Sequence, residues 1–202
     1  NRCRFCYAEC VPAHAMAELT ARDIERIIDI FKDEAKIPFF SFTGGEPLMR
    51  GDLERFIAYA VRRGLRVNLV TNGTLATEDR ARSLKIAGLG SAQVSIESPD
   101  RAIHDALCGM GGSWDASVAG LRALYAAGIP VQTNSTITRE NRESLRGMPR
   151  FAESLGIKRF AMNLYIPATR NADSEALFVP YGEVGSLVDS IGKEARALGL
   201  QF

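Results

Sequence analysis

Charge of one sign is what this chain lacks most visibly. Its 25 basic and 24 acidic residues leave a formal net charge of +1, which excludes a general polyanion-binding surface, though not a local basic patch. No nucleic-acid partner is expected. No run approaches the ~18 apolar residues that a membrane span requires, and no secretory leader pattern is visible. No membrane contact is therefore expected, and the expected setting is cytoplasmic. Cysteines number only four and histidines two. A disulfide scaffold is not needed, because folding at this length buries roughly 70% of the surface that the unfolded chain exposes. Hydrophobic residues at 46% and charged residues at 24% are ordinary for a globular chain and argue against disorder. Linkers and low-complexity segments are also missing, so residues 1–202 are expected to form one domain. The chain begins at Asn1 rather than Met, and the expectation is a fragment.

The cysteines that are present are unevenly spread. Cys3, Cys6 and Cys10 crowd into the first ten residues. Two cysteines separated by two residues make a poor long-range staple, so the clustering points to metal, an iron–sulfur cluster or redox exchange. A zinc site would draw a second pair of ligands from Cys10 and His14. A thioredoxin-like motif belongs in a strand-to-helix turn, and Pro12 would interrupt the helix that follows.

Along the rest of the chain, short β-rich runs alternate with amphipathic helices. Thr20 to Glu34 reads as a helix, with Thr20 and Asp23 forming a cap and Ile24, Ile27, Ile28 and Phe31 sharing a face. Phe39 to Thr43 reads as a strand ended by Gly44-Gly45. Asp52 is expected to cap a helix that Gly64 stops. Arg66 to Thr71 is a strand, Thr77 to Ala87 a helix, Gln93 to Glu97 a strand, and a long loop follows carrying His104 and glycines 109, 111 and 112. A helix bearing Val118, Leu121 and Leu124, a strand from Val131 to Thr138, a helical stretch restarted at Pro149, a strand from Phe160 to Ile166 and a helix from Gly182 to Leu198 complete the series.

Strand–helix alternation at roughly 26 to 40 residues per unit is the pattern of parallel βα architecture. Strands covered on both faces are almost continuously apolar, yet here polar residues recur at every second position. Gln93, Ser95 and Glu97 alternate, as do Gln132, Asn134, Thr136 and Thr138, which puts them on one face. The fold class expected is α/β, a partial (β/α)6 TIM-like barrel with a polar interior and its first strand missing from the chain. Edge strands with a wet face are the alternative.

Two motifs carry chemistry. Thiolates such as Cys3 and Cys6 bind iron from one tight loop. Gly44-Gly45-Glu46-Pro47 follows a strand directly, where glycines let a ligand approach the backbone and Glu46 suits a cationic amine. In combination, Cys3-x-Phe5-Cys6 and, about forty residues later, Thr43-Gly44-Gly45-Glu46-Pro47 resemble the radical S-adenosylmethionine (SAM) enzymes. Cys3 and Cys6 match the second and third cysteines of the family's Cys-x-x-x-Cys-x-aromatic-Cys motif. The first would lie two residues before Asn1. Val70 to Thr74, Val94 to Ser98, Ile103-His104-Asp105 with Gly109, Thr136 to Asn141 and Tyr165 to Arg170 extend the likeness. They do so toward the subgroup of molybdenum-cofactor, pyrroloquinoline quinone and sulfatase-maturing enzymes. Cys108 stands where that subgroup usually has Arg, and Glu97 where Asp is commoner.

The resemblance implies a [4Fe–4S] cluster and SAM as cofactors, with reductive cleavage to a 5′-deoxyadenosyl radical that acts on a peptide or small-molecule cofactor precursor. It implies an electron donor such as flavodoxin or ferredoxin. By matched position, Cys3 and Cys6 are cluster ligands, Phe5 lies near the adenine, and Gly44, Gly45 and Glu46 meet the methionyl amine. Ser95, Glu97 and Asn134 lie near the ribose or carboxylate, and Thr71 and Arg139 point toward the same mouth, with Tyr165 a weaker candidate. An α/β module that binds zinc or a cluster without SAM chemistry is the alternative. Plain readings serve the others: His14 on the surface, His104 bracing its loop, Cys108 as a buried small hydrophobe, Met162 in packing, and Arg62, Arg63 and Arg66 at a solvated helix end.

Overall fold

A computed structural model describes residues 1–6, 18–167 and 174–202. Five strands form one parallel sheet in chain order: β1 (Phe39–Phe42), β2 (Arg66–Thr71), β3 (Ser91–Ser95), β4 (Val131–Ile137) and β5 (Phe160–Leu164). The helices are α1 (Ala21–Asp29), α2 (Leu53–Arg62), α3 (Glu78–Ile86), α4 (Arg101–Cys108), α5 (Ser113–Ala126), α6 (Met148–Ser154), α7 (Ser174–Leu177) and α8 (Tyr181–Ala197). A strand order without reversal, joined by right-handed crossovers, keeps the connecting helices on one side and curls the sheet toward a barrel. A doubly wound sheet reverses its order.

The helix side is apolar. Val67, Leu69, Ala92, Val94 and Ile96 pack with Phe56 and Ile57 of α2, Leu84 of α3 and Leu121 and Leu124 of α5. A second cluster joins Ile137 and Phe160 to Met148 and Ala152 of α6 and Leu187, Ile191 and Ala195 of α8. Each of the larger side chains, the alanines apart, contributes about 1.5–3 kcal/mol on burial. The opposite, concave face carries a ladder of polar side chains. Ser91 Oγ donates to Asn68 Oδ1 (2.8 Å), Gln132 Nε2 to Gln93 Oε1 (2.7 Å) and Asn163 Nδ2 to Asn134 Oδ1 (3.0 Å). The ladder runs through the central strands β2, β3 and β4, so the alternation marks a barrel interior rather than wet edges.

Local chemistry explains most element ends. Thr20 and Asp23 form the expected capping box, and α1 runs on into a π-helical turn, Ile30–Glu34. Thr77 caps α3 through Arg80 N. Asp52 precedes α2 but makes no side-chain cap. Its carboxylate is taken by the Arg50 guanidinium in two bonds of 2.9 and 3.1 Å, a stronger partner than a neutral amide.

Two expectations need correction. β3 begins and ends two residues early: Ile96 N–H still reaches Asn134 O on β4 (3.0 Å), but Glu97 N–H bonds the His104 ring rather than a strand. The segment carrying His104 is helix α4, not a loop. Asp100 caps it by accepting from Ala102 N and Ile103 N, and Gly109 closes it at φ 61°.

Candidate active site at the strand ends

The described part of the cysteine loop, residues 1–6, lies against the C-terminal end of α4. Arg2 N–H donates to Cys108 O (2.8 Å) and Arg4 N–H to Leu107 O (3.0 Å), so the loop satisfies carbonyls that a helix end leaves unpaired. The approach is close: a Cβ on Gly109 would sit 2.6 Å from Arg2 O, so no other residue fits there. Arg4 also reaches across to Glu140, beyond β4, where its Nη1 donates to both carboxylate oxygens at 2.7 and 2.8 Å. A turn closed by Cys6 N–H to Cys3 O (3.1 Å) holds the two thiols, both half-buried. Contact with the Cys108 thiol holds Cys3 below the ordinary thiol range, against the opposing effect of its burial, which favours the thiolate that metals require. Phe5 packs sideways onto Leu107, Tyr165 and Leu177.

The bend after β1 is open. Gly44 adopts φ 128°, a conformation that side-chain-bearing residues rarely take, and a Cβ on Gly44 or Gly45 would meet nothing within 4 Å. Glu46 closes the bend from behind. Its carboxylate accepts from Thr71 Oγ1 (2.6 Å), Asn72 N (2.8 Å) and Leu48 N (3.0 Å), three of the roughly four acceptor sites a carboxylate offers. Its main work is therefore to staple the β1 turn to the end of β2.

Two expected mouth residues are turned elsewhere. Thr71 shares the helix-side parity of Val67 and Leu69, is 2% exposed, and gives its hydroxyl proton to Glu46. Arg139 directs Nε to the Phe178 carbonyl (3.2 Å), while its N–H bonds Leu177 O (2.9 Å); it anchors the segment after α7. Ser95 and Asn134 are paired in register on the concave face, both half-buried. Tyr165 is buried with Leu107 and Leu177, in packing. Cys10, His14 and the stretch from Ala168 to Arg170 lie outside the described residues.

Glu97 is the best-held group of the site. It is 3% exposed, and burial pushes its carboxyl up to about 8 against the bond from Thr136 N–H to Oε2 (2.7 Å). Sequence reasoning missed what surrounds it. Asn141, fully buried, donates Nδ2 to Glu97 O (2.6 Å) and Thr136 O (2.9 Å), while its Oδ1 accepts from Thr138 N (2.8 Å) and Thr138 Oγ1 (3.0 Å). His104, expected to brace its own loop, sits instead on a helix and braces Glu97 through the backbone N–H. Asp105 accepts from Gly112 N, Ser113 Oγ and Trp114 N, fixing the start of α5. The signals for Asn141 were its polarity in a turn three residues after Thr138 and its place in the Thr136 to Asn141 stretch of the family likeness.

All these groups gather at the C-terminal strand ends, where βα barrels carry their chemistry. Two thiols at one turn, one of them favoured as thiolate, face a rim with open space over two glycines and a polar, half-buried lining. That set fits an iron–sulfur cluster and a polar, amine-bearing cosubstrate. Among the described residues no three Cys, His, Asp or Glu side chains converge as metal ligands, so a metal held at Cys3 and Cys6 would need a further ligand.

This is the layout of a barrel that binds its cofactors at the rim, and the chain belongs to the Radical SAM superfamily, whose pattern matches residues 1–152. Its cofactors are those of the family, a [4Fe–4S] cluster and SAM. The chain is 37% identical to the AdoMet-dependent heme synthase of Nitratidesulfovibrio vulgaris over 170 residues, covering 84% of this chain and 46% of that protein. It is 31% identical to the PqqA peptide cyclase of Granulibacter bethesdensis over 158 residues, 78% of this chain and 42% of the relative. In fold it is similar to SuiB of Streptococcus suis bound to S-adenosylmethionine, with a TM-score of 0.82 at 19% identity, covering 97% of this chain and 45% of that one. The chain spans about half the length of the curated relatives it matches. No helix among the described residues is long and apolar enough to cross a membrane.

Proposed function

We propose that this chain is the catalytic core of a radical SAM enzyme that modifies a peptide or a cofactor precursor. The observation that supports the reading is that the thiol loop, tied to α4 and to Glu140 just beyond β4, and the open glycine bend after β1 lie at the same end of the sheet. When bound, the cluster supplies one electron that cleaves SAM reductively to a 5′-deoxyadenosyl radical. The chain's own part is to bind, orient and exclude water. Cys3 and Cys6 are the iron ligands it contributes. Gly44 and Gly45 offer backbone polar groups to the methionyl end, with Glu46 keeping the bend in shape. Ser95 and Asn134 offer hydrogen-bonding groups to the ribose or carboxylate, and Glu97 stands at the strand end beside them. Phe5 walls the apolar side of the loop near the adenine.

The relatives named for heme synthesis and for peptide cyclisation support the two substrate classes. The electron comes from a small cytoplasmic carrier of the flavodoxin or ferredoxin class. The test uses the whole protein, reconstituted anaerobically with iron and sulfide and given SAM and dithionite. Release of 5′-deoxyadenosine and methionine is the expected result. An intact [4Fe–4S] spectrum without SAM cleavage would overturn the reading.

A further inference from the structure

The end of the sheet away from the thiol loop carries a second concave feature. At the N-terminal ends of β3, β4 and β5 lies a cavity of about 530 Å³. Asn68, Ser91 and Gln132 line it from the concave face, and Lys158, Arg159 and Gln201 line it at the foot of β5. Two cationic residues thus border the cavity, and among the described residues no acidic one does.

Both cations lack an acidic partner among the described residues, whereas Arg63 pairs with Asp29, Arg80 with Glu54 and Arg150 with Glu194. Arg159 donates Nε and Nη2 to the neutral Gln201 Oε1 (2.9 and 2.7 Å), which leaves three of the five N–H groups of a guanidinium. Gln132 Nε2 gives one hydrogen to Gln93 Oε1 (2.7 Å) and Asn68 Nδ2 one to Ser41 Oγ (3.4 Å), so each amide keeps a second. A ligand that only accepts answers this surplus of donors. An oxyanion has no proton to give, and a carboxylate offers about four acceptor sites. Guanidinium groups pair with carboxylate and phosphate more strongly than with neutral oxygens, and a recess bordered by one sign of charge concentrates the counter-ion.

We propose that this cavity is a binding site for a small oxyanion, a carboxylate or a phosphate, held by Arg159 and Lys158 with Gln132 and Asn68 completing the donor set. It is separate from the seat at the rim, because the stretch of β4 from Gln132 to Thr136 spans about 13 Å. The site needs neither the cluster nor SAM, so it stands or falls apart from the function proposed above.

The experiment is reductive methylation of the whole protein, read lysine by lysine by mass spectrometry, with succinate, inorganic phosphate or uncharged succinamide present at matched ionic strength. Labelling needs the neutral amine, which a neighbouring anion disfavours. Succinate or phosphate is expected to slow Lys158 about threefold and to leave Lys193, exposed on α8, unchanged. Whichever of the two protects at the lower concentration gives the class of oxyanion. Succinamide is expected to do nothing, and in Arg159→Gln the protection is expected to be lost. Equal labelling in succinate, phosphate and succinamide would overturn the inference, as would protection that persists in Arg159→Gln. Equal slowing of Lys193 overturns it too, because that marks screening without a site. Should Arg159→Gln fail to fold, the succinamide comparison on the wild-type protein decides alone. Absent SAM cleavage with Lys158 protected removes the function and keeps this site; normal SAM cleavage with Lys158 unprotected removes this site alone.

Discussion

The end of β1 and the end of β3 sit on the same rim and are built in opposite ways. After β1 the chain passes through two glycines with empty space above them, and its one carboxylate faces backward into Thr71, Asn72 and Leu48. After β3 Glu97 is held on every side, by Thr136, His104 and Asn141. The first region offers exposed backbone and room; the second offers a fixed frame with no slack. A seat for a small polar molecule needs both, because hydrogen bonds made by a rigid frame cost little ordering when the ligand arrives.

The sharpest way to break this contrast is to remove what both ends serve. Cys6→Ala is expected to abolish the cluster, read as loss of iron and of the brown charge-transfer absorbance; a variant that kept its full iron content would mean that the ligands lie elsewhere. Next in size is the frame itself. Asn141→Ala deletes four buried hydrogen bonds and strands their partners, at a cost of about 3 kcal/mol. A thermal melt should fall accordingly, and an unchanged melting temperature would show that the β3 end is not the stiff element described.

Gly44→Ala tests the seat. The strained backbone costs about 1–3 kcal/mol in stability, and because the added methyl meets no protein atom, its further effect falls on the ligand. Calorimetry should find SAM bound more weakly at temperatures where the variant is fully folded. Unchanged affinity would remove the glycine bend from the site.

The smallest expected effect is on pH. Glu97 holds its proton more tightly folded than unfolded, moving from 4.5 to about 8, so its contribution to stability is complete below pH 4.5 and is lost as pH rises through 8. His104 moves the other way, from 6.5 to about 4, and costs stability as pH falls through that window. Between pH 7 and 8 the change comes almost entirely from Glu97, on the order of 1 kcal/mol, because His104 is largely neutral in both states there. Melts of the metal-free chain at these two pH values should differ, and in Glu97→Gln the difference should shrink. If it persists unchanged, another group titrates there.

Much of this layout was legible in the residues. The apolar and polar parities of β3 and β4 put the barrel interior on the correct face, because strand period is a property of the backbone alone. Thr20 and Thr77 started helices, and Gly64 ended one, where local chemistry demands. What escaped was decided by competition over distance. Asp52 would cap α2 if Arg50 were absent. Thr71 lies at a strand end, and nothing local says that Glu46, 25 residues earlier, claims its hydroxyl. Arg139 carries a charge suited to a ligand, yet a carbonyl of Phe178 takes it. His104 and Asn141 had no readable role because their partners are backbone groups of Glu97 and Thr136, which every sequence possesses.

The attachments of the first six residues bear on the order of events during synthesis. Their anchors, the carbonyls of Leu107 and Cys108 and the carboxylate of Glu140, are made more than a hundred residues later. The thiols leave the ribosome long before there is anything to hold them, so iron delivered early would find a slack peptide. Metal loading is thereby tied to a finished barrel wall, and a chain stalled midway has no grip with which to trap iron.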